Sequence, residues 1–111
     1  MAKWDRDDTI IALEAYINNA TSAQIEKIAT IIGKTPASVR MKFGNFIHLD
    51  PKAKGNGFDH PSQLDVDIWN KYSRDWSKLK YDAQLAKERK LGTVKGQNDS
   101  IIDLIIKSFI K

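Results

Sequence analysis

A chain of 111 residues, 41% hydrophobic and 29% charged, has room for one compact domain or a small domain with an arm, and excludes both two large domains and wholesale disorder. The absence of cysteine removes disulfides, thiolate metal sites and cysteine nucleophiles from consideration. A formal charge of +4 points toward a polyanionic partner, and the charge is segregated: between Lys34 and Lys54 five bases face the single acid Asp50, whereas Lys3 and Arg6 are outnumbered by Asp5, Asp7, Asp8 and Glu14.

The first residues enter acidic helical sequence without an apolar signal core, and no run approaches the roughly 18 apolar residues of a membrane span, so a cytoplasmic protein with no membrane partner is expected. Helix one is predicted to begin near Asp5, with Asp5 or Asp7 capping its free amides, and to carry Ile10, Leu13 and Ile17 inward before ending at Asn18-Asn19-Ala20. Trp4 is placed to pack under its first turn. Thr21 and Gln24 form a capping-box start for helix two, whose Ile25, Ile28, Ala29 and Ile32 share one face and whose end is marked by Gly33. Thr35 then reads as an N-cap and Pro36 as the first residue of helix three, predicted to run to about Ile47 with Val39, Phe43 and Phe46 inward.

The stretch from Asp50 to Pro61 reads as a long connection. Ser62 or Asp65 opens a predicted fourth helix reaching Lys90, on which Leu64, Ile68, Tyr72, Trp76, Leu79, Ala83 and Ala86 keep a stripe. Leu91–Gln97 reads as a flexible hinge. A last short helix is expected after Asn98 or Asp99, apolar around most of its circumference. The expected architecture is therefore all-α: a three-helix helix-turn-helix core, a long fourth helix and a short carboxy-terminal helix. The domain division is 1–90, a hinge at 91–97, and a segment 98–111 that packs back or pairs with a second copy through Ile102, Ile105, Ile106 and Phe109.

With the phenylalanine stripe inward, Ala37, Ser38, Met41, Gly44, Asn45 and His48 fall on the opposite side of helix three, flanked by Arg40 and Lys42. No acid occurs from Lys34 to Leu49. A small, polar, basic face of this kind suits the major groove of duplex DNA, with Arg40 matched to guanine, Asn45 to adenine, and Thr35 and Ser38 at the helix start to phosphate. Lys34, Lys42, Lys52 and Lys54 would serve the backbone. The plain alternative is a solvated helix face.

The run Ile25–Val39, containing Ile28-Ala29 and Gly33-Lys34-Thr35-Pro36, resembles the second and third helices of Myb/SANT-type DNA-binding domains, and Trp4 stands where that fold places its first core tryptophan. The later tryptophans of that family are missing, so Phe43 or Phe46 would fill their place. A longer similarity, Trp4 to about Trp76, includes Met41-Lys42, Asn45-Phe46, Leu49-Asp50-Pro51, Gly55-Asn56-Gly57, Leu64-Asp65 and Ile68-Trp69. It resembles the amino-terminal module preceding the nuclease domain of bacterial HNH restriction endonucleases, which implies a DNA-targeting or docking role. His48 and His60 are the only histidines and match nothing of the nuclease half, so no nuclease activity is carried over.

Three further candidates have plainer readings. His60 beside Asp59 is a weak metal pair, Gly55-Asn56-Gly57 lacks the spacing of a phosphate loop, and the helical spacing of Trp69, Tyr72, Trp76 and Tyr81 fits packing better than base stacking. The bases Lys71, Arg74, Lys78, Lys80, Lys87, Arg89 and Lys90 read either as a soluble surface or as an extension of the phosphate footprint. The expected function is duplex DNA binding without catalysis and without a cofactor. The rival is a protein-interaction module of a phage or mobile element that binds a nuclease or another protein through the aromatic helix and apolar tail.

Overall fold

The computed structural model describes residues 3–53 and 61–93, and among these every regular element is a helix. They are α1 (Arg6–Ile17), α2 (Ser22–Ile32), α3 (Pro36–Leu49), α4 (Gln63–Tyr72) and α5 (Trp76–Thr93). None is long and apolar enough to cross a membrane. The expected pairing segment with Ile102, Ile105, Ile106 and Phe109 lies outside the described residues, as do Lys54, Gly55-Asn56-Gly57 and His60.

The first helix organises the others. Every residue from Asp8 to Leu13 is buried, so α1 lacks the solvent-facing side of an ordinary surface helix and must be enclosed. It touches all four other helices, α5 most extensively. Its Ile11 and Ala15 join Ile25, Ile28 and Ile32 of α2, Val39 of α3 and Ala86 and Leu91 of α5. Its Ile10, Ala12 and Leu13 join Phe46 of α3, Ile68, Trp69 and Tyr72 of α4 and Leu79 and Ala83 of α5. Trp4 packs at the edge of both groups, as its position before the first turn suggested.

Local signals set the first three helices. Asp5 caps α1 by accepting the Asp8 amide at 2.8 Å, while Asp8 accepts the Asp5 amide at 3.0 Å. Thr21 and Gln24 make the same reciprocal pair at α2. Gly33 closes α2 at φ 69°, and only two residues separate it from Pro36.

The predicted single fourth helix is in fact two. At Ser73-Arg74-Asp75 the chain turns: the Asp75 amide bonds back to the Tyr72 carbonyl at 2.9 Å, and the Asp75 carboxylate accepts the Lys78 amide at 3.2 Å, opening α5. The aromatic and aliphatic stripe survives this break because Tyr72 and Leu79 still face one core. The last described helix, α5, continues to Thr93, with Leu91 buried against α2 and α1, and the rest of the expected hinge lies outside the described residues.

Charge completes the enclosure. Lys87 meets Glu14 at 2.8 Å, Arg89 grips Asp7 with two hydrogen bonds of 2.8 Å, and Lys90 reaches both Asp5 and Asp8. Lys34 approaches Asp8 from the other side at 3.6 Å. The Arg89 guanidinium holds the Asp7 carboxyl below its ordinary range. Burial alone would raise Asp5, but Lys90 and the Asp8 amide bring it below that range.

Two outcomes test this architecture. Gly33→Ala is expected to cost about 1 kcal/mol in urea unfolding. No atom lies within 4 Å of the added Cβ, so the cost is backbone strain alone, and Gly33→Asn should recover part of it. At alkaline pH, Tyr16 and Tyr72 are both pushed up to about 12, first by burial and then by the carboxylates of Asp50 and Asp82. Between the unfolded value near 10 and that folded value, the unfolded chain has released phenolic protons that the folded chain retains. Stability should therefore fall as pH rises from about 10 to 12, and the Tyr16→Phe, Tyr72→Phe double variant should flatten that limb of the melting curve.

Candidate nucleic-acid interface

The third helix is oriented largely as its pattern implies. Val39 and Phe46 are fully buried, and Phe43 is half-buried with its ring 5.9 Å from that of Tyr16. On the other side Ala37, Arg40 and His48 are exposed, and Met41 is 61% exposed. Thr35 caps the helix by accepting the Ser38 amide at 3.1 Å, and the two hydroxyls are hydrogen-bonded at 2.9 Å, which places both at the amide-rich end. Among the described residues Arg40 makes only a long contact, 3.5 Å, to the hydroxyl of Ser22 on α2.

The buried arc is wider than the phenylalanine stripe. Lys42 is buried, and its ammonium donates to Asp65 at 2.8 Å while lying 4.8 Å from the centre of the Trp4 ring. Asn45, half-buried, donates its amide to the other Asp65 oxygen at 2.9 Å. Asp65 is itself fully buried, and it also accepts the Ser62 amide at 3.0 Å as part of the α4 capping box. One carboxylate thus joins the inner side of α3 to the start of α4, and it needs every one of those donors because an unpaired buried charge is costly.

This corrects four expected positions. Lys42 is buried and paired with Asp65 rather than turned outward. Asn45 is tethered rather than presented to a base. Gly44 is buried rather than on the open face. Lys34 has a side chain only 8% exposed, shared between Asp8, the Lys3 carbonyl and the Trp4 ring. Local pattern carries little notice of these pairings, since Asp65 follows Lys42 by 23 residues and Asp8 precedes Lys34 by 26.

Of the remaining expected contacts, Lys52 is exposed just past α3, and Lys54 lies outside the described residues. Lys87, Arg89 and Lys90 hold the acids of α1, so the basic cluster contributes fewer outward charges than its count suggests. Lys71, Arg74, Lys78 and Lys80 remain exposed. Among the described residues no group of three or more His, Asp or Glu side chains gathers as a metal site.

No model of a known family, no curated protein and no solved structure matches the chain.

Removing the Lys42 ammonium leaves Asp65 charged and under-paired. Lys42→Met is expected to destabilise the fold by about 3–5 kcal/mol in urea unfolding. Adding Asp65→Asn should restore part of the loss, and a cost below about 1 kcal/mol for Lys42→Met alone would show that the pair does not hold α4 to α3.

Proposed function

We propose that the chain is a duplex-DNA-binding module without catalytic activity, in which α2 and α3 act as a Myb/SANT-like helix-turn-helix unit and α3 enters the major groove. One observation carries the proposal: α3 leaves Arg40 and Met41 in the open on a face that no acid from Lys34 to Leu49 interrupts. A groove lined with phosphate repels carboxylates and attracts such a face. The similarity of the Ile25–Val39 run to Myb/SANT helices, and of Trp4–Trp76 to a module preceding HNH nuclease domains, supports the same assignment.

The contact set is narrower than the sequence pattern implies. Arg40 is the base-reading residue, with Ser38 and Met41 beside it on the groove-facing side. Phosphates are met at the amino end of α3 near Thr35 and at Lys52 beyond its carboxyl end. Lys34, Lys42 and Asn45 serve the fold and hold the reading helix at its angle. A protein-interaction role has its own support in Trp76 and Tyr81, which are 38% and 65% exposed on α5.

The test is a salt titration with random and with selected duplex. Arg40→Ala should weaken binding and, if Arg40 also neutralises a phosphate, lower the salt slope by about one unit, while Lys52→Ala should lower the slope by about one unit with little change in sequence preference. Unchanged affinity and slope in the Arg40→Ala, Lys52→Ala double variant would refute the assignment.

A further inference from the structure

A cleft of about 700 Å³ opens where α1, α3 and α4 end, and its walls include Tyr16, Trp69, Trp76, Asp50, Lys52 and Ser73. Its size suits a small ligand or an inserted side chain with its flanking backbone. The aromatic walls stand at steep angles to one another: Trp69 and Trp76 are 5.7 Å apart at 70°, and Tyr16 and Trp69 are 6.3 Å apart at 62°. Crossed rings present faces and edges to a guest from several directions, whereas a sandwiched base needs parallel ones.

The electrostatics favour positive charge. Tyr16 lies in the last turn of α1, Asp50 is the C-cap of α3 and Ser73 is the C-cap of α4, so three helix carboxyl ends converge on the cleft. Each carries about half a negative charge, and among the described helix ends the start of α5, at Trp76, is the one that opposes them. The last turn of α1 contains no base, Lys71 in that of α4 lies over the Tyr72 ring, and His48 in that of α3 is exposed and is not part of the cleft wall. Asp50 adds a full negative charge at a helix end where it is unfavourable. Its carboxylate accepts only neutral donors among the described residues, the Tyr16 hydroxyl on Oδ2 at 2.8 Å and the Lys52 amide on Oδ1 at 2.9 Å. Each oxygen therefore keeps an acceptor site open.

We propose that this cleft binds the arginine side chain of a partner protein, with the guanidinium held by Asp50 and packed against Trp76. A planar guanidinium offers two parallel donors to the two carboxylate oxygens and a flat surface to an indole, which an ammonium does not. Among the described residues Lys52 is the one cationic side chain in the wall, and it opposes this guest, so it sets the sign of the test. The inference does not depend on DNA binding by α3.

The experiment uses the full chain with acetyl-arginine-amide, its neutral citrulline analogue and a deoxynucleoside monophosphate, followed by NMR shifts of the indole N–H groups of Trp69 and Trp76. The arginine probe should saturate these shifts and bind at least roughly tenfold more tightly than the citrulline analogue. Asp50→Asn should weaken it roughly tenfold, Lys52→Ala should tighten it by about threefold, and Tyr16→Phe, which keeps the carboxylate, should change it by less than about twofold. Should Asp50→Asn fail to fold, the citrulline comparison and Lys52→Ala still decide. Equal binding of arginine and citrulline probes, no saturation, or a nucleotide site weakened by Lys52→Ala would each overturn the proposal.

Discussion

The structure depends on enclosing a helix that has no solvent side and yet begins with three carboxylates. Residues Asp8 to Leu13 are buried without interruption, and Asp5, Asp7 and Asp8 crowd the same first turn. The acids suit the positive end of the helix dipole, but that partial charge does not balance them, and Asp8 is 2% exposed. Cations must therefore be brought in along with apolar surface. The carboxyl half of α5 supplies both at once, with Ala86 and Leu91 for the core and Lys87, Arg89 and Lys90 for the acids. Burial of α1 and docking of α5 are one event, since neither is satisfied alone.

That constraint changes what the positive net charge means. Basic residues that look surplus in the composition are paired with acids of the same fold: three on α1 by α5, of which Arg89 stays at the surface, Lys34 on Asp8, and Lys42 on Asp65. The exposed surface of α3 keeps one arginine rather than a cluster. Affinity for a polyanion would accordingly be modest per contact and strongly dependent on the angle at which α3 is presented. The Lys42–Asp65–Asn45 network fixes that angle by tying α3 to the capped start of α4.

What was legible in the sequence was local. Asp5, Thr21, Thr35 and Ser62 announce helix starts, and Gly33 a helix end, because each acts on amides or carbonyls within a few residues. Val39 and Phe46 likewise reveal the inner side of α3 by spacing alone. The break between α4 and α5 was hidden because three connecting residues leave Tyr72, Trp76 and Leu79 in a helical rhythm, so periodicity reads one helix where there are two. Lys42 and Asn45 depart from the pattern for a different reason. Polar residues at the edge of a stripe look outward until a distant carboxylate is known to lie beside them, and neither is close in sequence to Asp65.

The third helix also separates two electrostatic environments by its own polarity. Its amino end, with Thr35 and Ser38, gathers free amides, and its carboxyl end gathers carbonyls beside Asp50 and the ends of α1 and α4. Fourteen residues place these ends about 21 Å apart, well over a Debye length at physiological salt, so a charge bound at one is largely screened from the other. An anion at the start of α3 and a cation past its end thus need not compete, even though Lys52 belongs to the second neighbourhood.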